Sequence, residues 1–165
     1  MEIQTVNILM KDDLQELINS VMYITKFSGY SEDWSAEKTI TNPDMPPNGI
    51  KENVKLECVY DENNKMVNFC EYYIDDKTIF LGGFYIKQNK QKSGLGKTIL
   101  SMYENKWKAE KYNRIILNVD IKNWAGIRFW INNGYNKVIE WIGDFEYSEN
   151  TYAMLRLEKN INTSD

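Results

Sequence analysis

Histidine is absent from this 165-residue chain, and that absence removes whole classes of chemistry. Neither a Ser-His-Asp triad nor a Cys-His pair can be assembled, and the usual imidazole metal ligands are missing, so no metal site is expected. Any acid or base must come from Asp, Glu, Tyr, Lys or Cys. No apolar run approaches the ~20 residues that a membrane span needs, and no basic-then-apolar leader starts at Met1. A cytoplasmic protein with no membrane partner is expected. Cysteine is scarce too: Cys58 and Cys70 fall on neighbouring predicted strands, but two thiols make no disulfide framework, and buried free thiols are the expectation. The net charge of -4 offers no basic face, which argues against nucleic acid and leans toward a cationic substrate.

What the chain does have is a core. Its 42% hydrophobic and 13% aromatic residues suit one compact domain over residues 1–165. A short strand around Ile3 to Leu9 is followed by Asp12 as a helix cap, with Gln15 three residues on. Leu14, Leu17, Ile18, Val21 and Ile24 then repeat at helical spacing and mark one buried face. From Phe27 to Lys55 runs a polar and aromatic region with Tyr30, Trp34, a short helix from Ser35, and all three prolines, at Pro43, Pro46 and Pro47. It reads as a long loop. Tyr30 and Trp34 could wall an acceptor pocket there.

Val54 to Tyr60, Met66 to Ile74 and Thr78 to Ile86 read as an antiparallel meander joined by short polar turns. Gly82-Gly83 should weaken the third of these strands unless a bulge or a close ligand uses the missing side chains. Ile99, Leu100, Tyr103 and Trp107 line one face of a helix, Arg114 to Asp120 forms a strand, and Asn123 caps a helix that stops at Gly134. Tyr135 to Ile142 and Tyr152 to Leu157 are closing strands, and exposed strand edges near Ile139 to Ile142 could support a homodimer.

Between the meander and its following helix stands Gln91-Lys92-Ser93-Gly94-Leu95-Gly96-Lys97-Thr98. Glycines there let consecutive backbone N–H groups turn toward one point, and the helix adds the positive end of its dipole, so the segment suits an anion. Gly96-Lys97-Thr98 would complete a P-loop, but Gln91 stands where its first glycine belongs; Ile99 likewise breaks a dinucleotide fingerprint.

The order βα(α)βββαβαββ, an α/β layered fold with a mixed, mostly antiparallel sheet of six to seven strands and about four flanking helices, resembles the GNAT superfamily of acyl-CoA-dependent N-acetyltransferases. Gln91-Lys92-Ser93-Gly94-Leu95-Gly96 is similar to the family's Gln/Arg-x-x-Gly-x-Gly/Ala signature. The later segment from Asn123 to Tyr135, Asn-Trp-Ala-Gly-Ile-Arg-Phe-Trp-Ile-Asn-Asn-Gly-Tyr, resembles its Asn…Ala…Phe-Tyr…Gly-Phe helix. The two together, in order and with matching elements around them, cover about residues 78 to 136.

The resemblance implies acetyl-CoA as cosubstrate, held by Phe84, Tyr85 and Ile86 of the fourth strand, by Gln91, Lys92, Ser93, Gly94, Leu95, Gly96 and Lys97, and by Asn123 and Trp130. An N–H near Ile86 would polarise the thioester carbonyl. The acceptor is then a primary amine on a small, cationic molecule or a protein N-terminus, attacking directly in a ternary complex. The family's proton-donating tyrosine is replaced by Trp130, whose indole is too weak an acid; Tyr135 is a substitute donor or a core residue. Asp120 and Glu71 are the two carboxylates that could serve as base, each equally readable as a solvated strand residue. The alternative is an acyl-CoA-binding sensor or interaction module of the same fold that has lost catalysis.

Overall fold

The computed structural model describes residues 1–28 and 33–161. Seven strands form one sheet: β1 Ile3–Thr5, β2 Val54–Tyr60, β3 Met66–Asp75, β4 Thr78–Ile86, β5 Arg114–Asp120, β6 Lys137–Gly143 and β7 Ala153–Asn160. Five α-helical segments accompany them: α1 Lys11–Val21, α2 Thr25–Ser28, α3 Ala36–Thr41, α4 Leu95–Ala109 and α5 Trp124–Asn132, of which α2 is a single turn. The strand order is β1-β2-β3-β4-β5-β7-β6, with every neighbouring pair antiparallel except β4 and β5. The mixed, mostly antiparallel sheet expected from the sequence is therefore present.

Hydrophobic periodicity assigns the layers. On one face, Leu14, Leu17, Ile18 and Val21 of α1 bury themselves on Cys58, Met66 and Phe69. On the other, Ile99, Leu100, Tyr103 and Trp107 of α4 pack on Ile79, Leu81, Ile115, Leu117 and Leu157. Each fully buried large side chain contributes about 1.5–3 kcal/mol. Cys58 and Cys70 are buried free thiols that belong to different packing clusters, and burial pushes the Cys58 thiol up to about 12, so neither is a ready nucleophile.

Of the boundaries that differ from expectation, three have a clear local reason. β1 stops at Thr5 because the Asn7 carboxamide accepts the Leu9 N–H at 2.9 Å and starts a 3-10 turn, Ile8–Met10. Asp12 consequently lies inside the first turn of α1 and does not cap it. The expected strand from Tyr135 begins only at Lys137, because Tyr135 still belongs to the helix exit, its N–H donating to the Trp130 carbonyl. Ser35 does cap α3, accepting the Lys38 N–H.

One buried ion pair ties the layers together. Glu57 on β2, with a side chain 9% exposed, pairs with Lys106 of α4, which also donates to the Tyr72 hydroxyl at 3.1 Å. Removing the cation alone would strand a desolvated carboxylate. Lys106→Met is expected to cost about 3–5 kcal/mol of stability, read as a lowered denaturation midpoint, whereas a double Lys106→Met, Glu57→Met variant should recover most of it.

Candidate active site

The sheet opens at its centre. β4 and β5 pair only from Thr78 opposite Arg114 to Leu81 opposite Leu117. Beyond that point β4 follows β3 as far as Ile86, while β5 follows β7 as far as Asp120. The stretch from Gly82 to Ile86 thus faces a gap on its β5 side. The β3–β4 register shifts between Glu71, opposite Gly83, and Tyr72, opposite Leu81, so Gly82 is an extra residue bulged in β4 at this point. Gly83 is needed there, since a Cβ would stand 2.5 Å from the Tyr85 ring. That ring lies against Phe69, at 6.1 Å, and Trp34, at 4.8 Å. The two glycines flagged in the sequence therefore serve a bulge and a folded-back aromatic ring.

Backbone polarity in the gap follows from the ladder. Lys87 N–H donates to the Val67 carbonyl at 2.9 Å, and antiparallel alternation turns the N–H and carbonyl of Ile86 the other way, into the opening. The Ile86 carbonyl is taken by Gln91 Nε2 at 2.9 Å. Its N–H points into the same opening.

At the mouth of the gap, the chain turns through Lys92 and Gly94, both with positive φ (60° and 86°), and enters α4 at Leu95. Ser93 Oγ donates to the Lys90 carbonyl at 2.7 Å, fixing the turn. Gly94 brings no side-chain cap, so the first N–H groups of α4, at Gly96 and Lys97, converge with the dipole on one point. A Cβ on Gly96 would come within 3.3 Å of Phe129 and 3.4 Å of Ile86, whereas around Gly94 there is open space. Such a turn suits an anion, and Lys92 and Lys97 are exposed beside it.

The carboxylates lie on the sheet face that α1 covers. Glu71 follows Phe69 by two residues on β3, and Asn118 and Asp120 alternate with the core residues Leu117 and Val119 on β5. Glu71 is the more perturbed. Its Oε1 is buried with no partner among the described residues, and its pKa is raised to about 7, chiefly by burial, then by the charge of Asp44, against a backbone hydrogen bond from Asp44. Its partner on β4 is Gly83, and the bulged Gly82 beside it also lacks a side chain; a Cβ on Gly82 would lie 3.9 Å from Glu71 Cγ. Asp120 is half-buried, which raises its pKa, and lines a cavity of about 70 Å³ with Ser28, Ile142, Gly143, Tyr152 and Met154. Arg156 of β7, opposite Asn118, donates from Nε to Asn118 Oδ1 at 3.0 Å, pairs with Glu140, and lies over Phe80. A larger cavity of about 280 Å³ opens at the β2 edge, lined by Val6, Ile40, Pro43, Lys55 and by Leu56, the β2 partner of Glu71.

The remaining expected residues divide by sheet face. Phe84 packs with Phe129 and Trp130 on the α4 side. Trp130 itself is 8% exposed and touches Phe84, Phe129 and Tyr135 through ring edges, the packing of a core residue. Tyr135 is not brought to the gap: its ring is fully buried and its hydroxyl donates to Glu104 Oε1 at 2.8 Å, so a substitute proton donor is corrected to a core residue. Burial and the Glu104 charge also push its pKa up. Asn123 spends its side chain as the cap of α5, accepting the Gly126 N–H at 2.9 Å. Trp34 is half-buried, with its indole N–H on Thr39 Oγ1. Tyr30 lies outside the described residues. Asp44 and Arg156 escaped sequence reasoning, because each depends on strands or loops distant in the chain.

Comparison with known proteins places this geometry. No curated protein matches the chain. Among solved structures, the PaiA N-acetyltransferase of Thermoplasma acidophilum in complex with coenzyme A is similar at 22% identity and a TM-score of 0.66, with 96% of this chain and 98% of that one covered. The ribosomal-protein-S18-alanine N-acetyltransferase of Escherichia coli is similar at 12% identity and a TM-score of 0.73, covering 99% and 96%. The ribosomal-protein-alanine N-acetyltransferase of Brucella melitensis gives 14%, 0.73, and 97% and 99%. At these identities the likeness is one of fold. The family model for the acetyltransferase (GNAT) family matches residues 19–135, well over half of the sequence, and the chain belongs to that family.

Proposed function

We propose that this protein transfers an acetyl group from acetyl-CoA to the primary amine of a small cationic acceptor, with Glu71 as the general base. The thioester supplies an activated acetyl group on a leaving thiolate. The α4 cradle, from Gln91 to Lys97, suits the diphosphate, since open space surrounds Gly94 and Gly96 carries no side chain to intrude on the first N–H groups of α4. The Ile86 N–H points where a carbonyl oxygen gains charge as the amine attacks. The amine nitrogen forms the new bond to carbon, its proton goes to Glu71, and the C–S bond breaks. The thiolate, with a solution pKa near ~8.5, departs without a tyrosine and takes its proton from water.

The observation that carries this reading is Glu71: a carboxylate with a buried, unpartnered oxygen and a pKa of about 7, beside the side-chain-free Gly82 at the edge of the gap. Such a group is half ionised near neutral pH, where a base works best. The cationic acceptor follows from charge: Glu71 lies close to Asp44, Asp120 lines the neighbouring cavity, and Arg156 is already paired with Glu140. The test is thiol release from acetyl-CoA across polyamines, aminoglycosides, amino acids and N-terminal peptides. The reading expects turnover with multiply charged amines and a KM that rises with salt. Turnover confined to neutral or anionic acceptors would contradict the charge argument, and alanyl peptides as sole acceptors would move the substrate class to protein N-termini.

A further inference from the structure

The Gln91 side chain spans two parts of the molecule. Its Nε2 donates to the Ile86 carbonyl at 2.9 Å, and its Oε1 accepts from the Tyr23 hydroxyl at 3.1 Å. Tyr23 belongs to a 3-10 turn, Met22–Ile24, that leads directly into α2, and its ring meets Phe27 edge-on at 6.4 Å. Ser28, the last residue of α2, lines the cavity with Asp120. A single amide therefore joins the phosphate loop, the end of β4 and the segment that walls the acceptor side.

The rest of this seam lies farther from the loop. Lys87 pairs with Glu16 at 2.6 Å, and the Gln88 N–H donates to Ser20 Oγ at 3.3 Å, so α1 is already moored to the β4–α4 connection. The segment after it is weaker by construction. Residues 22–28 consist of one 3-10 turn and one α turn, in which Thr25 and Ser28 bond back to the carbonyls of Met22 and Thr25. Helices this short are marginal without outside contacts, and side-chain-to-backbone bonds compete with further helix. A segment near that margin responds to a single added restraint.

We propose that Tyr23 and Gln91 form a latch by which a filled diphosphate cradle orders the acceptor-side segment 22–28, both acting as positioning residues. Gln91 leads the loop whose N–H groups meet the diphosphate; when the loop is fixed, the carboxamide is fixed, and with it the anchor for Tyr23. The acceptor wall then forms on a protein that already holds its acyl donor. By linkage, an ordered wall holds the donor more tightly in return. The inference rests on the reading of the gap as a coenzyme A thioester site.

Hydrogen exchange with and without saturating CoA tests it in the absence of any acceptor. Wild-type protein should show protection in two segments on CoA addition, 92–98 and 22–28, the second slowed about tenfold. Tyr23→Phe keeps the ring and loses the hydroxyl; it should retain protection at 92–98 and CoA affinity within about threefold, but less than twofold protection at 22–28. Gln91→Leu, measured at a CoA concentration that saturates it, should lose the same protection at 22–28. Equal protection of 22–28 in wild type and Tyr23→Phe, or none in wild type while 92–98 is protected, would overturn the latch alone. No protection at 92–98 together with no CoA binding would overturn the latch and the underlying site reading.

Discussion

Replacing Glu71 with glutamine should lower kcat/KM for a turned-over amine by about 10²–10⁴-fold and, at the same time, make the protein more stable at alkaline pH. The two effects share one cause. Folding buries this carboxylate and raises its pKa from 4.5 to about 7. Below pH 4.5 the group is protonated in both the folded and unfolded chain and costs nothing. Between 4.5 and about 7 the unfolded chain has released its proton while the folded chain has not, so stability falls as pH rises. Above 7 the full cost, about 3 kcal/mol, is present. Glutamine carries no such cost. Glu71→Gln should therefore unfold about 6–10 °C higher than wild type at pH 8 and nearly level with it at pH 4.5. In activity, wild-type kcat/KM should climb with pH through an inflection near 7, and the variant should lose that inflection. An unchanged pH profile in Glu71→Gln would remove Glu71 from the mechanism and leave Asp120 as the carboxylate to examine.

Gly96→Leu should weaken acetyl-CoA binding by at least about 100-fold, equivalent to about 2.7 kcal/mol. The position has little room for even a methyl group, which would press on Phe129 and Ile86 at 3.3 and 3.4 Å, and a leucine must instead project into the cradle. Gly94→Ala is the control that separates space from backbone. Open space surrounds it, but its φ of 86° disfavours any L side chain, so it should lose about 1 kcal/mol of folding stability. Its effect on acetyl-CoA affinity should be smaller than that of Gly96→Leu, as read by calorimetry on both variants. Equal affinity of Gly96→Leu and wild type would mean that the diphosphate does not sit at the start of α4.

The parts of this fold that were legible in the sequence are those whose signals are local. β2, β4 and β5 begin and end where expected, because turn-forming residues bound strongly apolar runs. The phosphate loop was legible for the same reason: its glycines, its polar lead and the amphipathic α4 are contiguous. Residues that depend on which strands become neighbours were not. Asn118 meets Arg156 only because β7 inserts between β5 and β6, and Glu71 meets Asp44 only because the proline-rich loop returns over β3. Spacing could name Trp130 and Tyr135 but not their surroundings; the sheet face decides that, and it places both in the aromatic packing with Phe84 and Phe129.

The absence of a tyrosine at position 130 sharpens the mechanism. With Tyr135 bound to Glu104, and Glu104 also held by Lys159 at 2.8 Å, neither side chain is available to a departing thiolate. In the proposed mechanism, catalysis would then rest on alignment in the gap, on the Ile86 N–H and on a base matched to neutral pH.

The central claim is that the gap between β4 and β5, with its α4 cradle, binds an acyl-CoA thioester. Calorimetric titration of folded wild-type protein and Gly96→Leu with acetyl-CoA tests it most directly. The account predicts micromolar binding in wild type that disappears in the variant. No binding by folded wild type, or binding of equal strength in both, would contradict it.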